Sequence, residues 1–152
     1  MFEFIKKVLV PQNDNFAKHD ENLFKLQASV CLLLVDIAKA DGSFSTEEKE
    51  KIYSIMISEF DADENLVGEL IDRAEQVLKH DDAIYDYTQV INKSLDNDEK
   101  YELLKNFWRL VYINKSKDIY EEHLVKEIGG LIDMDYRDVV AAKLSIKDEL
   151  NI

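Results

Sequence analysis

The feature that most constrains this chain is an apolar stripe that begins at Leu23 and widens as it goes. Leu23, Leu26, Val30, Leu33, Ile37 and Ala40 recur at three- and four-residue steps, and Leu32, Leu34 and Val35 spread the stripe beyond one face. A surface helix needs an apolar face only toward its core. A helix apolar around most of its girth must be enclosed by others, so the pattern predicts a central, buried helix from Glu21 to Ala40. Gly42 follows, where a helix C-terminus commonly places a glycine. The longest apolar run, residues 28–35, is less than half of a membrane span. Cys31 lies within it and is the only cysteine, which excludes an internal disulfide or a cysteine zinc cluster and suits a core residue.

The segments after Gly42 repeat one plan. Ser45 with Glu48 forms a capping-box pattern ahead of Ile52, Tyr53, Met56 and Phe60. Residues 61–64, Asp-Ala-Asp-Glu, cap a helix carrying Leu66, Leu70, Ile71, Ala74, Val77 and Leu78. His80-Asp81-Asp82 reads as a break, and Ile84 to Ile91 as a short helix. Asp96 or Asn97 opens a long one through Leu103, Leu104, Phe107, Trp108 and Val111. Asp118 with Glu121 feeds Leu124, Val125, Ile128 and Leu131, and a last helix runs from Asp135 through Val139, Val140, Ala141 and Leu144. No alternating strand pattern occurs, and four glycines with one proline leave little for a many-turned β fold. The sequence predicts an all-α bundle of about six to eight helices. Residues 1–20 read as an amphipathic segment and linker, and residues 21–152 as one helical domain.

Charge narrows the partners. A formal charge of −13 and a pI near 4.6 oppose nucleic acid, whose phosphates require clustered Lys and Arg. The start, "MFEFIKKVLVPQ", carries charges inside its apolar stretch and lacks a small-residue cleavage site, so it does not read as a secretory signal. A cytoplasmic location is expected. Phe2, Phe4, Ile5, Val8 and Leu9 suit a small amphipathic helix that packs on the protein's own core, with weak peripheral membrane contact as the alternative.

The stretch "KADGSFSTEEKEKI", residues 39–52, is the candidate site. It is not an EF-hand. Placing Gly42 at loop position six puts Asp41 at five and Glu48 at twelve, but Ile37 falls at one and Lys39 at three, where oxygen ligands are required. A looser oxygen-rich site remains: Asp36, Asp41, Glu47 and Glu48 are the candidate ligands for one hard divalent cation, Ca²⁺ or Mg²⁺. The competing reading is a structural corner in which Gly42 terminates, Ser45 caps, and Glu47 and Glu48 meet the positive end of the helix dipole. Caps are far commoner than metal loops.

Other chemistries fail on spacing. None of the three histidines follows a glutamate at three residues, which excludes a ferritin-like di-iron bundle. No Walker loop, nucleophile elbow, H-E-x-x-H or G-x-G-x-x-G occurs. His80 and His123 are candidates for a metal-dependent hydrolase, though each is more simply a dipole partner or packing residue. Trp108, Tyr112 and Tyr120 read as core or groove-lining aromatics; exposure of any of them would mark a partner surface.

"LLLVDIAKADGSFSTEE" is echoed by "NFWRLVYINKSKDIYEE": apolar helix, polar break, cap, paired glutamates. The pair suggests two helix hairpins about a pseudo-two-fold axis. The first hairpin resembles the first signature of the TerB-like family, helical domains named for tellurite resistance. "FWRLVYINKSKDIYEEHLVKEIGGLIDMDYRDVVAAK" resembles the second, so the likeness runs from about Glu21 to Lys143. The resemblance implies a seven-helix-type bundle, no established catalytic activity, and divalent-cation binding by acidic residues around the Asp-Gly turns. Some relatives are linked to stress resistance near the membrane, and a related domain precedes a J-domain in a membrane-anchored co-chaperone. Asp36, Asp41, Gly42 and Glu47 or Glu48 match the first motif. In the second, Asn114 and Lys115 stand in place of Asp and Gly, and Lys117 adds another positive charge. Arg109 occupies the register of Asp36, so a salt bridge between them is expected. The expected function is a non-enzymatic helical interaction module with a protein partner; the alternatives are a metal-dependent hydrolase and a purely structural acidic bundle.

Overall fold

The structure is a computed structural model that describes residues 18–79, 84–113 and 119–152. Within them the chain forms seven helices: α1 (Lys18–Ala38), α2 (Thr46–Phe60), α3 (Glu64–Leu78), α4 (Ile84–Ser94), α5 (Asn97–Val111), α6 (Ile119–Leu131) and α7 (Tyr136–Glu149). No strand occurs among the described residues. The expected all-α bundle is therefore what the chain adopts. The expected break at residues 80–82 and the cap at Asp118 lie outside the described residues, as does the segment 1–17.

α1 is the axle of the bundle. Residues 30–35 are each fully buried, and α1 packs against α2, α3, α4, α5 and α6. That enclosure is why its apolar pattern runs around the helix rather than along one side. Cys31 sits inside it, and burial alone pushes its thiol up to about 12, which removes it as a nucleophile. α7 closes the far side by packing on α5 and α6. Trp108 of α5 is buried there, and its indole Nε1 donates to the Val139 carbonyl of α7 at 3.1 Å.

Helix ends form as their local chemistry dictates. Ser45 and Glu48 complete a capping box at α2, Asp96 and Glu99 complete one at α5, and Asp63 caps α3 through the Leu66 N–H. Asp135 stands at the N-cap of α7 without a side-chain bond to the helix. At the opposite ends, two buried-side amides reach across the bundle. Gln27 Nε2 donates to the Phe60 carbonyl at 2.8 Å and Asn92 Nδ2 to the Leu131 carbonyl at 3.0 Å, satisfying last-turn acceptors of α2 and α6. Gly129 lets α6 approach α7 closely: a Cβ there would lie 2.6 Å from Val139 Cγ2.

Three expectations are corrected. Leu23, placed on the core stripe, is 39% exposed. Leu144, placed on the apolar side of the last helix, is exposed as well. Leu23 lies near the start of α1 and Leu144 on the outer helix α7, where the other described helices do not enclose them. The third is the Asp36–Arg109 salt bridge. Arg109 instead binds Glu149 near the end of α7, with Nε and Nη2 each 2.9 Å from a carboxylate oxygen, while Nη1 donates to Asn106 Oδ1 at 2.8 Å.

Candidate functional site

The corner between α1 and α2 is built from its own hydrogen bonds. After Ala38 the chain turns through residues 39–42, with the Gly42 N–H bonded to the Lys39 carbonyl at 2.9 Å. Gly42 adopts φ +87°, a conformation an L side chain rarely takes, and this fixes glycine at the position. Asp41 Oδ1 then accepts from both the backbone N–H and the hydroxyl of Ser43, each at 3.0 Å. This short Asx-type loop holds the reversal before α2 starts. Glu48 is buried, and its Oε1 accepts the Ser45 N–H at 2.8 Å while the Glu48 N–H donates to Ser45 Oγ at 3.1 Å.

The four candidate ligands thus have different surroundings. Asp41 and Glu47 are exposed to solvent, Glu48 is drawn into the cap, and Asp36 lies half-buried one turn before the corner. Burial pushes the Asp36 carboxyl up to about 6, and the like charge of Glu127 on α6 adds to the effect. Among the described residues, no three His, Cys, Asp or Glu side chains are grouped so as to hold a metal ion. As placed, these carboxylates fit helix capping and turn formation better than a preformed cation cage, which needs six or more converging oxygens for Ca²⁺. Glu47 faces a shallow depression of about 360 Å³, shared with Glu50, Lys51, Ser54 and Ile113, so the outer side of α2 borders the end of α5. Asn114, Lys115 and Lys117 of the second motif lie outside the described residues, as does His80.

The second hairpin inverts the expected polarity of its first turn. Ile119 and Tyr120 are 72% and 68% exposed, whereas Glu121 and Glu122 are buried. Lys143 Nζ on α7 lies 2.7 Å from Glu122 Oε1, and the Tyr112 hydroxyl donates to the same oxygen at 3.1 Å. Tyr112 stacks on Trp108, ring centroids 6.1 Å apart, and the Lys143 ammonium lies 5.7 Å from the Trp108 centroid. Burial, and then the neighbouring Glu122 charge, push the Tyr112 phenol up, so it remains a donor. Trp108 and Tyr112 are core residues as expected, and Tyr120 is corrected to a surface residue. His123 is exposed.

Sequence reasoning missed the Glu122–Lys143 pair, but helical phase contained the signal. Stepping back one turn from Val125 and Ile128 lands on Glu121 and Glu122, not on Ile119 and Tyr120. Residue type masked the phase.

No helix among the described residues is long and apolar enough to cross a membrane. Comparison with curated proteins and with solved structures gave no match. The model of one family, TerB, described as tellurite resistance protein TerB, matches residues 27–144. That span holds both hairpins, from the middle of α1 to the middle of α7, and the chain therefore belongs to the TerB family.

Proposed function

We propose that this TerB-family chain is a non-enzymatic interaction module, cytoplasmic in setting, whose partner surface is centred on the first turn of α6. The observation that carries this reading is the exposure of Ile119 and Tyr120, two adjacent large apolar side chains that are the most exposed of their kind among the described residues. The ion pair between Glu122 and Lys143 fastens this turn to α7 and so fixes the surface that Ile119 and Tyr120 present. Aromatic side chains supply much of the energy at protein interfaces, and Tyr120 has the form of such an anchor. The formal charge of −13 favours a partner with a basic rim.

A photo-crosslinking residue placed at position 120 tests this reading against one at exposed Glu64 on α3. One discrete adduct from position 120, lost in an Ile119→Ser chain and absent from position 64, is the expected result. Equal adducts at both positions, or none at either, would reject the surface.

A second reading concerns the Asp-Gly corner: one divalent cation, Ca²⁺ or Mg²⁺, held weakly by Asp41 and Glu47 or Glu48, with Asp36 as a further ligand. The solvent exposure of Asp41 and Glu47 supports it. The bonds already made by Asp41 and Glu48 favour the structural corner instead. A metal-dependent hydrolase would need further converging ligands, and exposed His123 stands on α6, away from the α1–α2 corner.

A further inference from the structure

Asn106 lies in the middle of α5 and is only 4% exposed. A guanidinium donates and never accepts, so the 2.8 Å bond from Arg109 Nη1 turns the amide oxygen toward Arg109. Arg109 is held in turn by its two-point bond to Glu149, which keeps the amide in that orientation. The amide nitrogen, Nδ2, carries two hydrogens that no acceptor among the described residues takes up. Asn106 forms part of the wall of a groove of about 240 Å³ between the end of α2 and the first half of α5, and Nδ2 is the donor it turns to that groove.

The groove has an apolar floor and an acidic rim. Phe60, Leu95 and Leu103 make the floor. Glu59 of α2 and Glu99 and Glu102 of α5, all exposed, make the rim. The charges of Glu59 and Glu102 both reach Arg109, which sets carboxylates of two helices about one place. The chain's own cations leave this rim negative. Lys105 Nζ lies 3.0 Å from Glu102, Arg109 is committed to Glu149, and Glu99 gives Oε1 to the Asp96 N–H. The last turn of α2 adds the negative end of a helix dipole and holds no basic residue. No three carboxylates among the described residues converge closely enough for a metal ion, so the matching cation is one with a spread charge on a long stem.

We propose that this groove receives an arginine side chain from a partner protein. The stem lies on Phe60, Leu95 and Leu103, and the planar guanidinium offers five donors to the dispersed carboxylates. Asn106 Nδ2 donates to the carbonyl of the arginine's own backbone. A volume of about 240 Å³ suits one long side chain rather than a whole small-molecule ligand. Arg109 is the positioning residue that holds the amide for this contact. The groove belongs to α2 and α5 and the surface at Ile119 and Tyr120 to α6, so either can fail alone.

Titration of the isotope-labelled full chain with acetyl-arginine methylamide, followed by amide NMR signals, tests this. The backbone signals of Phe60, Leu95 and Leu103 should move and saturate, and the side-chain amide signal of Asn106 should move downfield along the same curve. The citrulline analogue, alike in shape but uncharged, should bind about tenfold or more weakly. Free arginine, which brings its own carboxylate to an acidic rim, should bind more weakly than the blocked form. A Glu59→Gln/Glu102→Gln chain whose spectrum shows it folded should lose the saturable response. No saturable movement in the unaltered chain, or movement that survives the double substitution, would overturn the inference. An Asn106 amide signal that stays in place would overturn the backbone contact, and an equal response to blocked lysine would overturn the guanidinium assignment. Tighter binding by free arginine would assign the groove to the amino acid and overturn a protein partner.

Discussion

Arg109 and Glu149 form a two-point ion pair, with guanidinium Nε and Nη2 each 2.9 Å from a carboxylate oxygen, and so fasten the last turn of α5 to the last turn of α7. The pairing holds the arginine in its charged form and the carboxyl of Glu149 below its ordinary range. Lysine cannot reproduce the fork. Arg109→Lys is expected to lower stability by about 1 kcal/mol or less, because the glutamate is half exposed. Urea unfolding at low and high salt checks this: the deficit should shrink as salt screens the wild-type pair.

Glu122 and Lys143 should respond unequally. The carboxylate is 5% exposed and the ammonium 19%, so only the lysine has a path to water. Lys143→Met removes the cation from a buried carboxylate that keeps its bond from the Tyr112 hydroxyl, and is expected to cost about 3 kcal/mol. Glu122→Gln should cost distinctly less, since the lysine can turn outward. The combined Glu122→Leu/Lys143→Met chain should lose less than the sum of the single changes, a coupling that denaturant titration measures directly.

Asp36 gives a pH dependence of opposite sign to an ordinary ion-paired carboxylate. Its carboxyl is raised from 3.8 to about 6 in the folded chain, so the native state holds the proton more tightly than the unfolded state. Its contribution to stability is therefore present at low pH, and is lost as pH rises from about 4 through about 6. Allowing for solvent screening of a partly exposed group, the loss is on the order of 1–2 kcal/mol. Melting wild type and Asp36→Asn side by side at pH 4.5 and 7 isolates it. The asparagine chain should gain relative stability at pH 7.

The helix ends carry two opposite glycine predictions. Gly42 has φ +87° and open space where a Cβ would be, so Gly42→Ala should cost about 1 kcal/mol from backbone conformation alone. Asp133 takes φ 60° just past α6, where the Asp133 and Met134 N–H groups bond to the Gly130 and Gly129 carbonyls at 3.1 and 3.0 Å. Glycine is the preferred residue at such a C-terminal position. Asp133→Gly should stabilise the chain by a few tenths to about 1 kcal/mol, read as a shift of the urea midpoint.

Local chemistry was legible in the sequence, and distant pairing was not. Ser45 with Glu48 and Asp96 with Glu99 close their boxes within three residues, so spacing alone suffices. The enclosure of α1 was legible because an all-round apolar pattern has one physical resolution. Arg109 with Glu149 and Glu122 with Lys143 are joined only by how helices stack, which no local spacing encodes. The pseudo-repeat misled at Arg109 because matching register does not ensure matching neighbours. At the Asp-Gly corner the sequence presented four carboxylates but not their commitments: Asp41 to Ser43, Glu48 to Ser45, Asp36 to a half-buried position near Glu127.

The central claim is that this corner is closed by its own hydrogen bonds. Calorimetric titration of metal-stripped protein with Ca²⁺, Mg²⁺, Mn²⁺ and Zn²⁺, beside Asp41→Asn, tests it most directly. The account predicts no saturable heat with any of the four ions and no difference between the two chains. Saturable binding by the wild type that Asp41→Asn abolishes would contradict it.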